Sequence, residues 1–111
     1  MDLLKLKCEP CSGKTPVLDS EQISNNLKKI NNWKVNEEQK MIFKKFNFKN
    51  FQQSLNFVNQ VGILAEKEGH HPDISLGWGY CLIMVHTHAI KGLSINDFIL
   101  ASKIDNLLKN S

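Results

Sequence analysis

Apolar residues follow two rhythms along this chain, one of three to four residues and one of two. Ile23, Leu27 and Ile30 form a helical stripe, which Asp19 or Ser20 can cap and Asn31-Asn32 closes. Trp33 to Val35 then reads as a strand, Asn36 to Gln39 as a turn, and Met41 to Phe48 as a returning strand. In that second strand Ile42, Lys44, Phe46 and Phe48 share one parity, so Lys44 breaks the alternation. Asn50 can cap a second helix, where Phe51, Leu55, Val58, Val61, Leu64 and Ala65 recur at helical spacing. Gly69 ends it in the manner of a left-handed cap. Beyond Pro72, Asp73 to Trp78 and Tyr80 to His88 read as strands joined by a tight turn at Gly79. Cys81, Ile83, Val85 and Thr87 point one way, and Leu82, Met84, His86 and His88 the other. After a loop from Ala89 to Leu93, Ser94 and Asp97 resemble a capping box opening a helix through Leu108.

The order helix, two strands, helix, two strands, helix defines an α+β class. Short links make each strand pair an antiparallel hairpin. The expected architecture is a four-stranded antiparallel sheet with three helices packed on one face. Residues 1–18, with Pro10, Gly13 and Pro16, read as an irregular arm ahead of one domain over 19–111.

Composition narrows the function classes. The 14 basic and 11 acidic residues leave a charge of only +3, and every basic residue is lysine. Bidentate recognition of bases and phosphates relies on arginine, which argues against nucleic acid as the main partner. No segment approaches the roughly 20 apolar residues of a membrane span. The opening Met1-Asp2-Leu3-Leu4-Lys5 does not read as a secretory signal, so a cytoplasmic location is expected. Three cysteines argue against a disulfide framework. Cys8 and Cys11 form a C-x-x-C that suits half a zinc site or a redox pair, but no second such pair follows; two reduced thiols in a mobile tail is the favoured reading. Cys81 reads as core.

The candidate chemistry is histidine chemistry. His70, His71, His86 and His88 account for every histidine in the chain, and the hairpin between them can bring the pairs together. His70 follows a helix C-terminus, where the macrodipole favours a cation, and Glu66 lies one turn earlier; both favour an imidazolium suited to general acid catalysis. His86 and His88 share one strand face and could chelate a metal together with His70 or His71, although no carboxylate or cysteine of suitable spacing completes the set. Asp97 has a structural reading as a helix-start acceptor. Trp33 and Trp78 suit either the core or the wall of a flat heteroaromatic site.

Taken together, Glu66, His70-His71-Pro72, Trp78, His88 and Asp97, at these spacings, resemble the signature of pterin-4a-carbinolamine dehydratases. The resemblance extends through Trp33-Lys34-Val35, the Phe46 to Phe51 segment, Phe57-Val58-Asn59, Thr87-His88, Gly92 to Phe98 and Ala101 to Asp105, covering about residues 18 to 108. It implies an α-β-β-α-β-β-α fold in homodimers or homotetramers. It also implies a hydro-lyase that removes water from a 4a-hydroxytetrahydropterin to give quinonoid dihydropterin in tetrahydrobiopterin recycling, without metal or prosthetic group. By the same resemblance His70, His71 and His88 are the catalytic trio. His70 and His88 would protonate the leaving hydroxyl, and His71 would bind or accept from the ring. Glu66 would tune His70 and Pro72 would fix the dihistidine. Trp78 and Trp33 would wall the pterin, Thr87 would support His88, and Asp97 would anchor the loop behind it. Two residues depart from the family pattern: His86 stands where a small hydroxyl residue is expected, and Gly79 where asparagine is usual. A protein-partner role and a zinc module using His86, His88 and Cys8 or Cys11 are the rival readings.

Overall fold

The computed structural model describes residues 2–9 and 12–109. Helix α1 spans Ser20–Leu27, strands β1 and β2 span Lys34–Val35 and Ile42–Asn47, and helix α2 spans Phe51–Glu68. Strands β3 and β4 span Asp73–Gly77 and Tyr80–Val85, and helix α3 spans Ile95–Lys109. The strands form one antiparallel sheet in the order β1-β2-β4-β3. The expected α+β architecture is the one observed.

Local chemistry explains the boundaries. The Asp19 carboxylate accepts from the Gln22 amide at 2.8 Å, and Gln22 Oε1 accepts from the Asp19 amide at 2.9 Å, a reciprocal cap for α1. Asn50 Oδ1 accepts from the Gln53 amide at 2.9 Å and starts α2. Gly69 ends α2 with φ of 67°, a left-handed conformation that a side chain would strain. On α2, Ser54, Phe57, Val61, Ala65 and Glu68 make the buried stripe, and Phe51 of the expected stripe is exposed.

Phe57 and Val61 of α2 join Phe98, Ala101 and Ile104 of α3 and Ile42, Phe46, Cys81, Ile83 and Val85 of the central strands in the core. Burying each large side chain contributes roughly 1.5–3 kcal/mol. Burial pushes the Cys81 thiol up to about 11, so it is a core residue and not a ready nucleophile. The break in β2 alternation is resolved by a partner: Lys44 turns inward and its Nζ lies 2.8 Å from Asp105 Oδ1. The same carboxylate accepts from Trp33 Nε1 at 3.1 Å. Trp33 packs edge-on against Phe46, with ring centroids 6.1 Å apart.

Two expectations change. Strand β4 stops at Val85, where its pairing with Ile42 ends, and does not run to His88. Thr87 bridges back to Gly92, and His88–Ile90 form a 3₁₀ turn closed by left-handed Lys91. Residues 2–9 of the N-terminal arm are docked, so Cys8 is not a tail thiol. A 3₁₀ turn over Leu3–Lys5 buries Leu3, and Cys8 is buried. The Cys8 amide donates to Glu68 Oε1 at 3.0 Å, while Asn96 brackets the Glu9 backbone through two bonds. Cys11 lies outside the described residues, and with it the other half of the C-x-x-C.

Candidate active site

The site forms where three chain segments meet: the exit of α2, the end of β4, and the start of α3. Past Gly69 the chain no longer follows the helix, yet the amides of Gly69 and His70 both donate to the Ala65 carbonyl, at 2.9 and 3.3 Å. This turn sends His70 inward and His71 outward. His70 is buried, and its Nε2 lies 2.6 Å from Oδ1 of the fully buried Asp97. An ionised carboxylate can only accept, so Nε2 carries a hydrogen and the ring orientation is fixed.

Asp97 holds more than the histidine. Its Oδ2 accepts from the Thr87 hydroxyl at 2.9 Å and from the Ser94 amide at 2.8 Å, while the Thr87 and Ser94 hydroxyls lie 2.8 Å apart. The Ser94 bond is the helix-start role read from the sequence. The same side chain thereby ties α3, the loop preceding His88 and the dihistidine into one network. Such a network in a dry setting is strong and specific because each buried polar atom has its partner.

His71 pairs with Glu66 instead, Nε2 to Oε2 at 2.5 Å, in an exposed setting. Glu66 was expected to tune His70, and the structure corrects this: helical spacing from Glu66 fails beyond the left-handed Gly69, which places His71 within reach. His88 is exposed at the mouth of the site, and its ring meets that of His86 edge-on with centroids 4.1 Å apart. His86 Nε2 in turn lies 3.0 Å from Asp73 Oδ2. Gly69, His70, His71, His86, Thr87, His88 and Ala89 line one cleft of about 220 Å³. A larger hollow of about 390 Å³, lined by Asn32, Lys34, Phe43, Lys44, Lys45 and Leu82, contains no histidine and no carboxylate.

The structure therefore brings together His70, His71, Thr87 and His88, with Asp97 behind them and Glu66 at the rim. It does not bring in the tryptophans. Trp33 is a core residue committed to Asp105, a correction to its expected place at a pterin wall. Trp78 is 71% exposed at the far end of β3 and does not line this cleft. Pro72 connects His71 to β3. Sequence reasoning missed Asp73, whose register opposite Met84 puts it diagonally across from His86. It also missed the hydroxyl of Ser94 as a member of the buried network.

Comparison with known proteins identifies the family of the chain. Residues 16–107 match the family described as Pterin 4 alpha carbinolamine dehydratase. A Legionella pneumophila protein named "Putative pterin-4-alpha-carbinolamine dehydratase" is 46% identical over 108 residues, 96% of each chain. A Halorhodospira halophila protein of the same name is 44% identical over 107 residues, 96% of this chain and 98% of that one. Among solved structures, a transcriptional coactivator/pterin dehydratase from Brucella melitensis superposes with a TM-score of 0.79 at 24% identity. It covers 83% of this chain and 98% of its own, and this likeness shows the fold alone. A pterin dehydratase-like protein identified as a RuBisCO assembly factor in the alpha-carboxysome gives 0.60 at 26% identity, covering 69% and 89%.

Proposed function

The chain belongs to the pterin-4a-carbinolamine dehydratase family, and we propose that it dehydrates a 4a-hydroxytetrahydropterin to quinonoid dihydropterin and water. The observation that carries the reading is the clustering of His70, His71 and His88 on one cleft, with His70 clamped by buried Asp97. In this reading the leaving hydroxyl takes a proton from His70 or His88, and the C4a–O bond breaks. The ring nitrogen bonded to C4a supplies its electron pair to form the new double bond. Its proton passes to His71 or solvent, and water departs. Each proton transfer by a positioned side chain accounts for about 10²–10⁴ in rate. In this reading the steps call for no metal or prosthetic group. Asp97 positions His70, Thr87 holds the segment leading into His88, and Glu66 acts on His71.

Tetrahydrobiopterin recycling after aromatic amino acid hydroxylation, in the cytoplasm, is the context this chemistry fits. Among the described residues no helix is long and apolar enough to cross a membrane. Self-association into dimers or tetramers belongs to the same reading, in which a second copy would supply Trp78, exposed here and outside the cleft.

Stopped-flow absorbance of 4a-hydroxytetrahydropterin decay, with the substrate generated in place by a hydroxylase, tests the proposal. Acceleration by the wild type that collapses in a His70→Ala, His88→Ala double variant is expected. Decay at the spontaneous rate with wild-type protein rejects the activity. Near-full turnover in both single variants rejects the assigned roles.

A further inference from the structure

His86 is the histidine that the proposed dehydration does not use, and it sits in a set of metal-ligand type. One donor atom from each of Asp73, His86 and His88 falls within 4.8 Å of the others. Two imidazoles and a carboxylate are the donors that a zinc-class divalent cation accepts, with a further position left open. Bonds of about 2.0–2.2 Å at the tetrahedral angle separate ligand atoms by about 3.4 Å. His86 Nε2 and Asp73 Oδ2 already stand at 3.0 Å. His88 is an exposed side chain on a 3₁₀ turn with its ring already against His86.

We propose that Asp73, His86 and His88 form a binding site for a zinc-class divalent cation at the mouth of the histidine cleft. Three elements supply it, the first residue of β3, the residue after β4 and the 3₁₀ turn, so the fold assembles the ligands from positions 13 and 15 residues apart. Its exposure makes it an exchangeable site and not a structural one. A cation there occupies the ring nitrogen of His88. As a consequence that rests on the dehydratase reading, bound metal and turnover compete.

Cobalt(II) titration of chelator-treated full-length protein tests the site without reference to activity. One equivalent should produce the intense visible absorption of a low-coordinate cobalt site, and zinc should displace it. His86→Ala and His88→Ala should each weaken binding by about tenfold or more, and Asp73→Asn by a similar factor. His86→Gln, closer in size, and far-UV circular dichroism of every variant separate ligand loss from misfolding. Absence of 1:1 binding overturns the proposal. So does undiminished binding in a His86→Ala, His88→Ala double variant, or a thiolate-to-cobalt band that moves the metal to the cysteines. In the activity arm, zinc should slow wild-type decay of the pterin carbinolamine. Zinc bound 1:1 at these ligands without slowing would remove the competition while leaving the site in place.

Discussion

His70 and His71 are adjacent in the chain and each contacts a carboxylate at nearly the same distance, 2.6 Å to Asp97 and 2.5 Å to Glu66. Their surroundings differ entirely. The side chains of the first pair are 7% and 0% exposed, and those of the second 61% and 78%. Away from water the first pair interacts at low effective dielectric, and its carboxylate is saturated by Thr87 and Ser94. The second is screened by solvent and salt, and exposed pairs of this kind contribute little. Equal distance thus carries unequal consequence. One pair builds the site, and the other decorates its rim.

The comparison breaks most visibly at Asp97. Replacing it with alanine leaves the Thr87 hydroxyl, the Ser94 amide and His70 Nε2–H without their acceptor in a buried setting. We expect a loss of about 3 kcal/mol or more, read from denaturant midpoints. Turnover should fall by about 10²–10⁴. Asp97→Asn is the sharper variant. Its amide oxygen can still serve the Ser94 amide, but its NH₂ would meet a histidine hydrogen, so stability should fall less than activity. Equal retention of activity in both variants would remove Asp97 from the positioning of His70.

A third carboxylate extends the contrast along one helix. Glu68 lies two residues beyond Glu66, but it is buried and bonds the Cys8 amide and Lys103 Nζ, at 3.0 and 2.9 Å. Burial pushes its carboxyl up, and the bonds from Lys103 and Cys8 outweigh that and hold it below its ordinary 4.5. A carboxyl depressed by folding contributes stability that is fully present above its unfolded value. That contribution fades as pH falls below about 4.5 and through the lower folded value. Glu68→Gln should cost about 1–3 kcal/mol near neutrality. The gap from wild type should narrow on acidification, as followed by urea midpoints across pH 7 to 3. A gap constant across that range would show that the ion pair does not couple to folding.

Much of this was legible in the chain because the signals are local. Asp19, Asn50, Gly69 and the Ser94–Asp97 pair each announce a helix boundary through their own side chain or φ preference, and each marks one in the structure. The rest depended on residues distant in sequence. The alternation of Cys81, Ile83, Val85 and Thr87 continues past the end of β4, because Thr87 stays buried after the strand has lost its partner. Lys44 looked like a polar break until Asp105 supplied its counter-charge. Cys8 looked like a tail thiol because neither Glu68 nor Asn96 is near it in sequence. Glu66 was matched to His70 by helical spacing, a rule that expires at the left-handed glycine between them. Aromatic type alone could not separate core Trp33 from exposed Trp78.

The smallest expected effect tests the comparison from its other side. Glu66→Gln removes the charge facing His71 and leaves both side chains in water, so stability should change by within about 0.5 kcal/mol. Turnover should change by no more than about threefold. Whatever change appears should be reproduced in wild-type protein by raising ionic strength, because salt screens an exposed pair and leaves the Asp97 network largely untouched. His71→Ala separates the ring from its partner, since the imidazole lines the cleft whether or not Glu66 is charged. If Glu66→Gln cost as much activity as Asp97→Asn, exposure would not be what distinguishes the two pairs. His71 would then depend on its carboxylate as His70 does, and in the proposed dehydration the ring proton would be assigned to the His71–Glu66 pair.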